Sequence, residues 1–173
     1  CKNDLQEQSE RILSSLYKNS DHEEENIREL IKEVSSLIGE YFDMEVLIPI
    51  ISKSILDNDI KANNKSIINR FHVLSSIFHK STSITHSSLQ LFFNTLRELD
   101  IFVNYYSNNV MFIYLYEILS GIILSISISN IDKISFLKDF HSEIFYYLLL
   151  LFNFPILPKE IRDKVPSIDS TWI

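Results

Sequence analysis

Apolar residues recur every three or four positions along most of the chain, which is the spacing of one face of an α-helix. The clearest example follows the acidic run at 21–25. Its apolar positions are Ile27, Leu30, Ile31, Val34, Leu37, Ile38, Tyr41 and Phe42. Polar breaks separate this segment from others of the same kind. The pattern predicts an all-α fold class with about seven to eight helices.

The apolar stripes and the breaks between them place the predicted helices. A first helix spans about 4–18, and the helix just described follows it. Further helices span about 47–56, 65–79, 85–99 and 110–128, followed by one that carries apolar positions from Ile134 to Phe152 and a short one at 159–165. The segment 101–106 is β-branched and aromatic, which suits a strand. Because no second strand is available to pair with it, we expect it to be helical or irregular.

Polar residues at the breaks predict how several helices begin. Two capping boxes overlap at 20–24, where a Ser and then an Asp are each followed three residues later by Glu. Pro49 fits a first helical turn, where its missing N–H costs little. The pairs Asn63-Asn64 and Ser129-Asn130 can each cap the helix that follows.

The most apolar segment is Val110 to Ile128, in which Glu117 is the single charged residue. A helix that is apolar all round is either covered by protein or lies in lipid, and this one approaches the roughly 18–20 residues that span a bilayer. We expect neighbouring helices to cover it. A second span near 142–157 would be cut short by Pro155 and Pro158, and no Lys or Arg cluster sets an orientation in a membrane.

Composition and charge exclude several classes of function. The net charge is −7, and the 16 Lys and Arg residues form no basic run, so we expect no direct nucleic-acid partner. With only 2 Gly, the chain lacks the glycine-rich loops that bind phosphates and dinucleotides. We therefore predict no cofactor. The scarcity of Gly and Ala also predicts helix contacts without the small residues that helical repeats usually place there.

Few residues are candidates for chemistry. His72, His79 and His86 are seven residues apart, but two histidines two turns apart cannot share one ion and no Cys or carboxylate joins them at ligand spacing, so we predict no metal site. Glu117 is the most informative polar residue. A buried carboxylate there could act as a catalytic acid, although a pairing partner or a place at the rim is more usual. We predict no catalytic residue and no enzyme.

The segment Leu47–Asp59, with the sequence LIPIISKSILDND, resembles the first helix of a HEAT or armadillo-type repeat. In that family an apolar helix containing Leu and Pro closes on an acidic turn, and the second helix often carries an Arg, to which Arg70 corresponds. The resemblance covers about one repeat. It implies a right-handed superhelix of helix pairs that binds other proteins, a HEAT/ARM-like α-solenoid, whereas the periodicity alone is equally satisfied by an irregular helical bundle.

These features predict a non-catalytic scaffold for protein–protein interaction, which docks a partner segment or subunit in a groove between helices. We expect residues 1–173 to form a single helical domain, either complete or part of a larger protein, and to act as a subunit of a larger assembly. The candidate partner-binding residues lie at the acidic start of the second helix, at an aromatic corner and in the tail. They are Glu23, Glu24, Glu25, Tyr105, Tyr106 and Trp172.

Two alternatives of other classes remain open. One is an integral membrane protein, or one anchored by lipid at Cys1, since mature bacterial lipoproteins begin with an acylated cysteine. The other is a helical enzyme with its site near Glu117, which requires a polar cavity open to solvent around that carboxylate. An intracellular location, cytoplasmic or nuclear, is favoured over a membrane, and nothing in the residues identifies the partner.

Overall fold

The computed structural model describes residues 2–61, 63–101, 109–128 and 133–153. Eight α-helices and no β-strand lie within these ranges, so the predicted all-α class is confirmed. The helices are α1 (Lys2–Asn19), α2 (Glu25–Tyr41), α3 (Met44–Leu56), α4 (Asn58–Lys61), α5 (Asn64–Lys80), α6 (His86–Leu99), α7 (Asn109–Ile128) and α8 (Lys133–Asn153). The predictions for 101–106, for a helix at 159–165 and for a cap at Ser129-Asn130 fall wholly or mainly outside the described residues.

Two local predictions, at the starts of α2 and α3, are wrong, and one, the cap of α5, is confirmed. Glu24 is the N-cap of α2 and makes no side-chain cap hydrogen bond, so neither predicted capping box forms. Pro49 lies beyond the first turn of α3, because that helix begins earlier, at Met44. The polar linker after α3 contains the short helix α4. Asn63 does cap α5, where its side chain accepts a hydrogen bond from the backbone N–H of Ser66.

Helix α5 is the centre of the described fold, because α2 and α7 both pack along it. Its contacts with α7 advance together along the two helices. His72 stacks on Tyr114 near the start of the contact, and the Ser125 hydroxyl donates to the Ser81 carbonyl near its end. The two helices therefore run in the same direction. A second set of contacts joins α3 to α6, and aromatic rings join α6 to α8.

Contacts from α3 to α6 and from α5 to α7 join residues about forty positions apart. The separation is 42 for the hydrogen bond from Ser87 of α6 to Glu45 of α3, and 44 for that from Ser125 to Ser81. In the turn before α6, Ser83 bonds to the Phe42 carbonyl across 41 residues. The helices of the described chain thus lie in two sets, α2–α5–α7 and α3–α6–α8. The offset widens at the last step, where Arg97 contacts Glu143 across 46 residues and Phe93 contacts Tyr147 across 54.

Both glycines of the chain lie where a neighbouring helix passes closest to α5. A Cβ atom added at Gly39 would overlap the Ile77 carbonyl, and one added at Gly121 would lie 2.7 Å from the carbonyl carbon and oxygen of Phe78. The expectation that small residues are missing from the helix contacts is therefore wrong, since the two glycines occupy them. They allow α2 and α7 to contact the backbone of the same turn of α5.

The core is aromatic and aliphatic, but among the described residues α7 is covered on one side only. Six phenylalanines are fully buried, and they are Phe71, Phe78, Phe92, Phe93, Phe112 and Phe140. Half of the segment Val110–Ile128 is buried. Its other side exposes Ile123, Leu124 and Ile128, so the expectation that protein covers this helix all round is wrong.

The predicted apolar stripes of α2 and α8 are also only partly buried. In α2 the small face with Ser35 and Gly39 meets α5, so Leu30, Leu37 and Tyr41 remain exposed. In α8 Phe140 and Ile144 are buried as predicted, whereas Ile134 is 82% exposed. Periodicity had placed all of these on inward stripes. The apolar stripe of each helix is wider than the surface that a neighbouring helix covers, so the apolar residues at its edges remain exposed.

Replacing either glycine by alanine is expected to lower the free energy of unfolding. Alanine usually stabilises a helix by about 0.5–1 kcal/mol relative to glycine, but overpacking against backbone costs about 1–3 kcal/mol. Urea denaturation of Gly39→Ala and Gly121→Ala measures the net loss. Ser120→Ala, next to Gly121 but outside the close contact, is the control. A gain in stability for both glycine variants would contradict the close approach.

Replacing the N-cap residue should destabilise the protein at α5 and α6, which have side-chain caps, and have little effect at α2, which has none. Thr85 and Ser88 form a complete capping box at α6, and Asn63 caps α5. We expect Thr85→Ala and Asn63→Ala each to lower the free energy of unfolding by about 1 kcal/mol. Glu24→Ala should change it by less than about 0.5 kcal/mol. Equal losses in all three variants, measured by thermal or urea denaturation, would contradict this assignment.

Candidate functional site

A polar cleft crosses the three helices α2, α5 and α7. Its volume is ≈ 390 Å³. The lining residues are Lys32 and Ser36 from α2, Ser75, Ser76 and His79 from α5, and Tyr116, Glu117 and Ser120 from α7. Three helices supply it together, which is possible because the glycine contacts hold α2 and α7 against the same end of α5.

Most polar side chains of this cleft are not engaged within the described part of the protein. Ser75 is an exception, because its hydroxyl donates to the His72 carbonyl at 2.8 Å. In the ranges that the structure describes, the side chains of Lys32, His79 and Glu117 make neither a hydrogen bond nor an ion pair. The cleft therefore offers a cation, a carboxylate, an imidazole and several hydroxyls to water or to a ligand.

Glu117 acts electrostatically on the aromatic pair beneath it. His72 and Tyr114 stack with their ring centroids 4.9 Å apart. Burial lowers the pKa of His72 and is the larger effect, while the charge of Glu117 raises it. Burial and the same charge both raise the pKa of Tyr114. The neutral forms of both rings are thereby favoured in the folded protein.

The Glu117 side chain is exposed and lies at the rim of the cleft, so it is not a buried acid. This position agrees with the more usual of the two expectations, a carboxylate at the rim. The cleft is nevertheless polar and open to solvent around Glu117, which is the surrounding that the enzyme alternative requires. A nucleophile held by a base needs the two within hydrogen-bond reach, and within the described ranges no such pair includes Glu117.

An apolar stripe continues the cleft along α7. Leu124 and Ile128 follow Glu117 at spacings of seven and eleven residues, which place all three on one side of the helix. Leu124 is 46% exposed and Ile128 is 61% exposed. The exposed side of α7 thus has charged and hydroxyl groups at one end and a hydrophobic patch at the other. Protein interfaces combine the same two parts, a polar rim and an apolar centre.

The partner-binding residues predicted from the sequence are not brought into this cleft. Glu23, Glu24 and Glu25 are exposed at the start of α2, where Arg28 fixes the preceding turn by donating to the carbonyls of His22 and Glu23. The remaining three, at 105, 106 and 172, lie outside the described residues. Sequence reasoning singled out Glu117 but missed Lys32, Ser36 and Ser76, which look like an ordinary solvated face and small helix residues.

The histidines spaced seven apart do not converge on one ion. His72 is half-buried against Tyr114, His79 lines the cleft, and His86 lies 3.3 Å from Asp139 of α8. Among the residues that the structure describes, no group of three or more His, Cys, Asp or Glu could hold a metal.

The segment Val110–Ile128 is long and apolar enough to cross a membrane, with a mean hydropathy of 1.9. The core helix of a soluble protein can meet the same two criteria of length and composition.

No protein-family model matches the chain, and no curated protein or solved structure is significantly similar to it. The function must therefore be inferred from the residues and their arrangement.

Neutralising Glu117 should lower the pKa of both half-buried rings, His72 and Tyr114. In Glu117→Gln the charge that raises the pKa of His72 is lost while burial remains, so this pKa falls further below its ordinary value of 6.5. The unfolded chain then binds more protons as the pH falls through 6.5, and the folded state loses stability below that pH more steeply than the wild type. NMR titration of His72 and urea denaturation at several pH values measure both effects.

The control for this titration is Glu33→Gln, which removes a carboxylate from the exposed face of α2. We expect it to leave the pKa of His72 unchanged. A His72 pKa that stays constant or rises in Glu117→Gln would show that the carboxylate does not act on the ring pair.

Proposed function

We propose that this protein is a non-catalytic module for protein–protein interaction, which docks a segment of a partner protein along the exposed side of α7. The observation that carries the proposal is the continuous surface formed by the polar cleft around Glu117 and the stripe of Leu124 and Ile128. Polar groups that make no hydrogen bond within the described residues can orient a partner, and adjacent exposed apolar side chains give binding energy when covered.

The proposal includes an α-solenoid architecture of the HEAT or armadillo type. Its support is the offset of 42 residues from α3 to α6 and of 44 from α5 to α7, together with the common direction of α5 and α7. The offset from α6 to α8 is wider, at 46 to 54 residues. Stacked helix pairs form extended surfaces for binding other proteins. The polar cleft crosses successive helices of one set, which is where such an array presents its side chains to a partner.

Apolar side chains exposed elsewhere support a place in a larger assembly. Leu30, Leu37 and Tyr41 are exposed on α2, and Phe145 and Tyr146 are 60% and 55% exposed on α8. Scattered apolar residues are normal on a protein surface, but arrays of stacked helices need polar outer faces where they end. The faces of α2 and α8 therefore suit contact with further protein.

A second candidate is a helical enzyme acting at Glu117. The observation in its favour is the polar cleft, open to solvent and containing Lys32 and His79 beside the carboxylate. We rank it below the interaction module because its groups are not joined by hydrogen bonds in the described residues. A membrane protein is a further alternative, which rests on the length and hydropathy of Val110–Ile128.

Charge placed on the apolar stripe should abolish partner capture without unfolding the protein. The immobilised wild-type protein would be incubated with an extract of its source cells, and retained proteins would be quantified by mass spectrometry. We expect Leu124→Asp and Ile128→Asp to lose those proteins by about tenfold or more, because burying an unpaired carboxylate in an interface is costly. Circular dichroism checks that both variants remain helical.

The matched control is Ile134→Asp, an exposed isoleucine on α8 outside the proposed surface. It should retain the partner at the wild-type level. Equal capture by wild type and Leu124→Asp would overturn the proposal. If Leu124→Asp no longer floats with lipid vesicles, as the wild type does, but still captures the same proteins, the membrane alternative is favoured. If the wild type chemically converts a captured partner and Glu117→Gln captures that partner without converting it, the enzyme alternative is favoured.

A further inference from the structure

A second cleft lies between α1, α4 and the first turns of α5. Its volume is ≈ 370 Å³. The lining residues are Ser14, Tyr17 and Lys18 from α1, Asp21 from the following turn, Ile60 from α4, and Lys65, Ser66, Asn69 and Arg70 from α5. It shares no residue with the cleft around Glu117.

The charge of this lining is opposite to that of the whole chain. Lys18, Lys65 and Arg70 bring three positive charges and Asp21 one negative charge, so the lining carries a net charge of +2 in a chain of net charge −7. Cations from two separate helices converge here. A local concentration of positive charge of this kind attracts anions even when the protein as a whole repels them.

Asp21 already shows where an anionic oxygen binds in this cleft. Its carboxylate accepts from the Lys65 ammonium at 2.6 Å and from the Asn69 amide at 3.2 Å. The hydrogen bond from Lys65 is the main cause that lowers the pKa of Asp21. Asp21 thus occupies the donors of Lys65 and Asn69, while the cations of Lys18 and Arg70 do not contact it.

Arg70 is held in place by groups that leave part of its guanidinium unused. The group is half-buried over the Tyr17 ring, 4.7 Å from the centroid. Its Nε donates to the Ser54 hydroxyl and its Nη1 to the Ser66 carbonyl. In the described residues Nη2 makes no hydrogen bond, and neither does the Lys18 ammonium. Asp57, beyond Tyr17, also acts on Arg70 through its charge but does not line this cleft.

We propose that this cleft binds a phosphate monoester, with Lys18, Lys65 and Arg70 as its cationic ligands. A monoester carries a charge of about −1.5 to −2 at pH 7 and three strong acceptor oxygens, which matches the net charge of the lining and the donors left unused. A carboxylate would neutralise only half of that charge. Asp21 competes for Lys65 from inside the chain, so it limits the affinity of the site.

Titration with O-phosphoserine, followed by NMR or calorimetry, tests this site directly. Because Lys18→Gln removes one of the three cationic ligands of the phosphate, we expect it to weaken binding by about threefold or more. Asp21→Asn should strengthen binding, since the internal competitor loses its charge. Lys138→Gln, which removes an exposed lysine on α8, should bind as the wild type does. Circular dichroism confirms that each variant is folded.

A phosphoserine peptide compared with O-phosphoserine distinguishes the source of the phosphate. Tighter binding of the peptide indicates a phosphorylated protein, and equal binding indicates a small phosphate ester. Absence of binding at millimolar O-phosphoserine, equal weakening in Lys18→Gln and Lys138→Gln, or weaker binding in Asp21→Asn would overturn the proposal. Leu124→Asp should bind phosphoserine as the wild type does, so this site can fail or succeed independently of the partner surface on α7.

Discussion

The close approach of α2 and α7 to one turn of α5 is the constraint on which the rest of the described structure depends. Gly39 and Gly121 meet the backbone of adjacent residues, Ile77 and Phe78, with no room for a Cβ atom. Such contacts bring whole helix backbones together and increase the packing density along their length. The buried hydrogen bond from Ser125 to the Ser81 carbonyl then fixes how far α7 is shifted along α5.

The same constraint shapes the cleft around Glu117. Where helix axes are close, large side chains cannot lie between them, and the lining contains the small residues Ser36, Ser75, Ser76 and Ser120. Large groups such as Lys32 and Tyr116 project from the outer margins. The result is a shallow channel with a hydroxyl floor and a charged rim. The polarity of the candidate site is thus a consequence of how the helices pack as well as of the residues themselves.

The sequence predicted the helices well and their contacts poorly. Periodicity identifies residues that share a face, and it located α5, α6 and α7 within a few residues of their observed bounds. It does not say which neighbour a face meets. Leu37 and Ile38 both belong to the predicted apolar stripe of α2, yet Ile38 is buried and Leu37 is exposed. The closest contact depends on backbone proximity, which carries no hydrophobic signal, so the cleft and its cationic counterpart could not be predicted.

The support for a repeat architecture comes from geometry and not from the motif that first suggested it. The resemblance rested on Pro49 and Arg70, but Pro49 lies beyond the first turn of α3 and Arg70 turns toward α1, where it covers Tyr17. What supports the proposal is an offset of about forty residues that occurs from α3 to α6 and again from α5 to α7, where hydrogen bonds maintain it, although the offset from α6 to α8 is wider. A sequence can lose the residues that identify a repeat while it keeps this offset, because the offset requires only helices of similar length and a small residue at each close contact.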